Sequence, residues 1–379
     1  MSPDALRTHF PHTAQQTYLN HAATSPLSQP VLDAMHAFLA ERHGADPGAP
    51  VDNVADVLPL LDETKARLAT VLATTPDRVA FAPNTSYALN ILTQGLDWQP
   101  GDRVAIPDGT FPTNVCPFLN LERHGVAVDF IPTDEGAYSV ADVARTLTPQ
   151  TRLLSVSWVH FLSGFRADLA ALGALCAEHD VLFCVDAIQG LGAFQLDVDA
   201  CQIDFLACGG HKWLMAPQGT GLLYCTEALQ ERLHPPAGWL HGPVDWENLD
   251  DYTLTFHSTA ERFRLGTLNT AGFVGMHAAL GLYLEASPAW CEQRIRTHAQ
   301  RLATGLADRG LRRYGTDDPA HQSGIVTVAP EAPEALFNVL HAHGITGALR
   351  NRALRLAPSW ATPDAHIETA LHAVDTFIL

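Results

Sequence analysis

Val181-Leu182-Phe183-Cys184-Val185-Asp186 is apolar at five consecutive positions and closes on a carboxylate. A strand with one wet face alternates apolar and polar residues. A short unbroken apolar run reads instead as a strand covered on both faces. Similar runs lie on either side of it: Val79-Ala82, Arg103-Pro107, Val126-Pro132, Arg152-Val159, Asp204-Cys208 and Gly221-Cys225. Between several of them are helical patterns, such as Ala167-His179, where Leu169, Leu172, Leu175 and Cys176 recur at helical spacing. Alternating strands and helices predict an α/β chain built on a doubly wound, mostly parallel sheet. Asp204-Cys208 and Gly221-Cys225 are separated by a loop alone, which predicts one antiparallel member.

The rest of the chain has a different rhythm. A long helical region is expected over about residues 270–310. A strand at Gly324-Val328, a helix near Pro333-His343 and a short strand at Ala353-Ala357 follow. Thr362-Pro363-Asp364 opens a last helix, with a capping hydroxyl and a proline at its first position. Ile367, Leu371, Val374 and Phe377 share one face of that helix. The pattern predicts a large α/β domain over residues 31–265 and a smaller α+β domain made of residues 1–30 and 266–379. Residues 234–261, rich in Pro, Gly and Trp at the start, read as a surface excursion.

Composition removes several classes of function. A formal net charge of −18 repels phosphate backbones, and no basic stripe offsets it, so no nucleic-acid partner is expected. No apolar run is long enough to span a bilayer, and the N-terminal residues lack the apolar core of a signal peptide, so no membrane partner and a cytoplasmic location are expected. The seven cysteines show no Cys-x-x-Cys pairing, which favours reduced core thiols. The 19 histidines lack metal-ligand spacing, so no metal is expected.

Of 23 basic residues only two are lysines. Lys65 sits in a polar stretch and reads as part of a solvated face. Lys212 sits in the apolar, glycine-rich Gly209-Gly210-His211-Lys212-Trp213-Leu214-Met215-Ala216-Pro217. A desolvated lysine amine can lose its proton and form an imine with an aldehyde, whereas a guanidinium cannot. Two other candidate groups lie at strand ends, where open α/β sheets bind ligands. Asn84-Thr85-Ser86 opens a helix, so its free N–H groups and hydroxyls can cup a phosphate; simple capping is the structural alternative. Asp186 is a carboxylate ending an apolar strand and needs a partner, either a protonated heterocyclic nitrogen or the following turn. A lysine, an acid and a phosphate-binding helix start are the parts that pyridoxal phosphate requires.

Val185-Asp186-Ala187-Ile188-Gln189-Gly190, His211-Lys212-Trp213 and Pro217-x-Gly219-Thr220-Gly221 resemble the class V aminotransferases of fold type I, the group that includes cysteine desulfurases, selenocysteine lyases and epimerase-like proteins. Tyr18-Leu19-Asn20-His21-Ala22-Ala23-Thr24-Ser25, Asn84-Thr85-Ser86-Tyr87 and Arg264-Leu265-Gly266-Thr267 extend the likeness, as does Ala353-Leu354-Arg355-Leu356. The resemblance implies a pyridoxal 5'-phosphate enzyme acting on a small amino acid, by aminotransferase or lyase chemistry at Cα or Cβ. It makes Lys212 the cofactor-binding lysine and proton shuttle. Asp186 becomes the partner of the ring nitrogen, and Gln189 the neighbour of the ring oxygen. It implies Thr85, Ser86 and His211 at the phosphate, and Asn20 and Arg355 at the substrate. It also implies a homodimer in which Thr267 reaches the neighbouring subunit's phosphate.

Departures from the family pattern narrow the chemistry. Phe111 stands where desulfurases stack a histidine over the ring; it can stack but cannot carry a proton. His160 falls where the family often has an asparagine near the ring oxygen, and it is either that group or a packed histidine. Gly209 replaces a serine that often donates to the phosphate. No cysteine follows Cys291, so Gly347-Ala348-Leu349-Arg350-Asn351-Arg352-Ala353 lacks the loop thiol on which persulfide-forming desulfurases depend. Epimerisation, a desulfurase or selenocysteine lyase-like reaction, and a cofactor-binding sensor without turnover remain as alternatives.

Overall fold

A computed structural model describes Ala5, residues 8–44 and residues 54–378. In chain order the strands are β1 (Thr17–Tyr18), β2 (Val79–Ala82), β3 (Arg103–Pro107), β4 (Ala127–Ile131), β5 (Thr151–Ser157) and β6 (Leu182–Asp186). They continue with β7 (Phe205–Gly209), β8 (Gly221–Cys225), β9 (Val326–Val328), β10 (Ile345–Thr346), β11 (Ala348–Arg350) and β12 (Ala353–Leu356). Seven of them form the central sheet in the order β2-β8-β7-β6-β5-β3-β4. β8 runs antiparallel to both neighbours and every other pairing is parallel, so the fold is the mostly parallel α/β arrangement, with its single reversed strand where the loop-only connection falls.

The continuous apolar runs have two cores to satisfy. Along β6, Phe183 and Val185 face one core while Leu182 and Cys184 face the other. The first core takes Leu169, Leu172 and Cys176 from the helix Leu169–Glu178; the second takes Ala88, Leu89 and Leu92 from the helix Thr85–Gly95. Burying a residue such as Phe183 or Leu206 in this way stabilises the fold by about 1.5–3 kcal/mol each. A third core joins Leu19, Leu302, Val326, Leu336, Leu354, Leu356, Ile367 and Val374 around the three-stranded sheet β11-β12-β9.

The expected helical region is divided into two helices, Thr270–Ala286 and Pro288–Ala307, because Pro288 cannot donate into the preceding turn and Ser287 sits at φ 71°. The expected domain boundary at residue 266 falls just before the first of these helices. Its Phe273, Met276, Leu280 and Tyr283 pack in the core of the large sheet, as do Ile325, Ala357 and Trp360 further along, whereas Ala299, Leu302, Val326 and Leu354 belong to the third core. Lys65, read as solvated, is largely covered and pairs with Glu261 at 3.0 Å. All seven cysteines are unpaired, five of them buried. Among the described residues no helix is long and apolar enough to cross a membrane, and no cluster suits a metal ion.

Candidate active site

The carboxyl ends of β2, β3, β6 and β7 converge on a cavity of about 330 Å³. Thr85, Ser86, Phe111, Gln189, His211, Lys212 and Arg355 all line it. Asp186 lies beneath it, 2% exposed, with Oδ1 accepting the Ile188 N–H at 3.1 Å. Burial pushes its pKa up to about 6, against the pull of that hydrogen bond and of Lys212. Asp186 forms no ion pair among the described residues. A buried carboxylate at this position suits a protonated ring nitrogen.

Lys212 follows β7. Burial lowers its amine to about pKa 8, although the neighbouring Asp186 carboxylate opposes this; Arg355 adds to the lowering. Its Nζ lies 5.7 Å from the centre of the Phe111 ring, itself edge-on to Phe161 at 5.3 Å. Phe111 is 42% exposed and so offers a ring face rather than core packing.

At the other end, Asn84 caps the helix Thr85–Gly95 by accepting the Tyr87 N–H at 2.8 Å. The first-turn amides ahead of it lack intrahelical partners. Thr85 Oγ1 accepts the Gly209 N–H at 3.0 Å, which leaves the hydroxyl hydrogen available for an anion. Ser86 Oγ bonds Thr113 Oγ1 at 3.0 Å. A Cβ at Gly209 would stand 3.2 Å from Ile188 Cδ1 and 3.3 Å from His211 Nδ1, so a serine there would crowd both.

Arg355, on β12, is 3% exposed. Its Nη1 donates to Phe161 O at 2.6 Å, and its Nε is buried with no partner. Burial, with Arg350 adding to it, lowers its pKa to about 10, so it stays cationic at neutral pH. An orphaned guanidinium N–H on the wall of a cavity suits a carboxylate. The buried acid, the desolvated amine, the anion cup and this arginine together fit pyridoxal phosphate with an amino acid.

Two residues expected at the site, His160 and Asn20, do not line the cavity, and two others, Gln189 and Thr267, have surroundings of their own. His160 is not on the cavity wall: Nε2 bonds Gly109 O at 3.0 Å and Nδ1 bonds Ser163 Oγ at 2.9 Å, so both ring nitrogens are engaged. Gln189 lines the cavity, but its Nε2 donates to Ala22 O and its Oε1 accepts from Trp213 Nε1, both at 2.9 Å. Asn20 lies off the wall, bridged to Ala357, with a buried, unpartnered Oδ1. Thr267 lies away from its own chain's site, exposed on the wall of a separate cavity of about 690 Å³. Sequence reasoning passed over Arg350, Thr113, Phe161 and Ala22-Ala23, all of which line the active-site cavity.

The family model for aminotransferase class-V matches residues 17–348. The chain belongs to the class V aminotransferase family. A probable cysteine desulfurase of Methanothermobacter thermautotrophicus is 31% identical over 86% of this chain and 81% of its own length. Two solved structures of C-DES share the fold. One, with glycine covalently linked to its PLP cofactor, has a TM-score of 0.89 at 24% identity and covers 97% of this chain and 98% of its own. The other, described as a cystine C–S lyase with its product cysteine persulfide, has a TM-score of 0.88 at 23% identity and covers 96% and 98%. As a class V member, this chain is a pyridoxal-phosphate-dependent enzyme.

Proposed function

We propose that this class V enzyme is a carbon–sulfur lyase for a small sulfur-containing amino acid of the cysteine or cystine type, working without a cysteine nucleophile. One observation carries the reading. The cavity gathers Lys212, Thr85, Ser86 and Arg355 above Asp186, yet no cysteine lines it. Cys208, the thiol close enough to feel Asp186 and Lys212, is fully buried, and burial raises its pKa far above the thiol range. The names of the similar proteins support sulfur amino acids as the substrate class.

Bound in this cavity, pyridoxal phosphate supplies an aldehyde for the amines and a ring that withdraws electrons from the bonds at Cα. Thr85 and Ser86 would hold its phosphate, Asp186 would keep its ring nitrogen protonated, and Phe111 would pack against it. Arg355 grips the substrate carboxylate with a planar fork. The Lys212 amine, partly unprotonated near neutral pH, removes the proton at Cα. Loss of that proton would let the Cβ–S bond break with its electron pair leaving on sulfur, and hydrolysis of the remaining fragment would give pyruvate and ammonia. His160, Gln189 and Asn20 act as supports of the wall in this account.

An amino-acid panel on the purified holoenzyme tests it. The expected result is pyruvate together with sulfide from L-cysteine, or with a persulfide from L-cystine. Amino transfer to a keto acid without pyruvate, or racemised substrate alone, would show a different reaction. We also infer a homodimer in a reducing, cytoplasmic setting. Exposed Thr267 stands beside Trp239 (52% exposed) and Trp246 (69%), a surface suited to a second copy whose cofactor phosphate Thr267 would meet. Sedimentation of the holoenzyme as a monomer would contradict the dimer.

A further inference from the structure

Residues 18–25 tie together the two segments that carry Lys212 and Arg355. On one side they run beside the end of β12: Ala357 N–H donates to Leu19 O at 2.6 Å and His21 N–H donates to Ala357 O at 3.2 Å, two residues beyond Arg355. On the other side they clasp the lysine segment. Ser25 N–H donates to His211 O at 2.9 Å, the Thr24 hydroxyl donates to the same carbonyl at 3.3 Å, and Ser25 Oγ donates to Lys212 O at 2.6 Å.

The Lys212 carbonyl is under demand. It also accepts the Met215 N–H at 3.0 Å, closing a turn in which buried Met215 sits at φ 54°. The left-handed conformation costs a non-glycine residue about 1–2 kcal/mol and persists where its surroundings hold it. Ser25 has one hydroxyl hydrogen, and Lys212 O takes it. The contact of 2.8 Å between Ser25 Oγ and His21 Nδ1 therefore has the histidine as donor. His21 is 2% exposed, and burial keeps its ring uncharged, as the neutral Nδ1–H tautomer.

We propose that His21 and Ser25 are positioning residues: the relay from His21 Nδ1–H through Ser25 Oγ–H to the Lys212 carbonyl fixes the lysine's backbone relative to Arg355. This rests on Lys212 being the cofactor-binding amine. A hydroxyl that merely satisfied a carbonyl would affect stability alone. A positioning hydroxyl also affects how fast Lys212 captures the cofactor and how well it moves a proton.

The test compares Ser25→Ala, Ser25→Cys and Ser25→Thr in the full-length protein. Cysteine keeps the shape with a weak donor, so the comparison survives a poorly folding alanine variant. Misplacement by about 1 Å can cost on the order of 100-fold. The expected result is therefore slower pyridoxal phosphate uptake by the apoprotein and a kcat about 10- to 100-fold lower in the alanine and cysteine variants, with KM little changed. Threonine, which keeps the hydroxyl, restores both. Uptake and kcat within about two-fold of wild type in Ser25→Ala and Ser25→Cys, or an effect confined to KM, would overturn the proposal. A wild-type protein that takes up no cofactor sinks the function reading and this proposal with it; normal wild-type uptake unchanged by these variants sinks this proposal alone.

Discussion

Lys212→Ala is expected to lose the covalent cofactor link and to lower kcat by about 10⁴-fold or more, since one residue serves as both the attachment point and the proton carrier. The only other lysine, Lys65, pairs with Glu261 and cannot substitute. The physical basis is desolvation. A lysine in water is almost fully protonated at neutral pH and cannot attack an aldehyde, whereas burial brings Lys212 down to about 8. Because the pKa is depressed, the reactive free amine grows as pH rises and saturates earlier than for an ordinary lysine. Pyridoxal phosphate uptake by the wild-type apoprotein, followed by its visible absorbance, should therefore rise with pH and level off above about 8. A rise that continues to the ordinary lysine value of 10.5 would show that Lys212 is not desolvated.

Arg355→Ala is expected to leave the cofactor's absorbance band intact and to weaken substrate capture. Truncating one partner of a buried, hydrogen-bonded charge pair costs about 2–5 kcal/mol, roughly 30-fold to a few thousand-fold in kcat/KM. Steady-state kinetics on the panel's best substrate measure the loss, and the absorbance of the purified variant checks the cofactor. A colourless variant would contradict the assignment, because it would place Arg355 at the cofactor instead of the substrate carboxylate. Arg350 lines the same cavity from β11, so part of the positive potential survives the substitution. The fork geometry does not.

The sheet was legible because strands buried on both faces leave continuous apolar runs that end where the backbone does. β2, β3 and β8 occupy the very residues that the runs mark, and β6 starts one residue late. The break at Ser287 was not legible, since a proline at the first position of a helix suits that helix and both helices are apolar along their buried faces. At the site, Lys212, Thr85-Ser86 and Arg355 are gathered because each lies at a strand end or on a strand facing the cavity. His160 stayed open between two readings because its position in the chain does not reveal that Gly109 and Ser163 engage both nitrogens. Arg350 escaped notice because its stretch was read for a missing cysteine rather than for the charge it brings. Ser25 lies in a family-like segment, but nothing there suggests a role for it, since its partner is a backbone carbonyl 187 residues away.

Borohydride reduction of the holoenzyme, followed by peptide mapping, tests the central claim most directly, because the chain offers only two lysines to label. The account predicts a reduced pyridoxyl group on the peptide containing Lys212 and none on that containing Lys65. Label on Lys65, or a protein left unlabelled after exposure to pyridoxal phosphate, would contradict it.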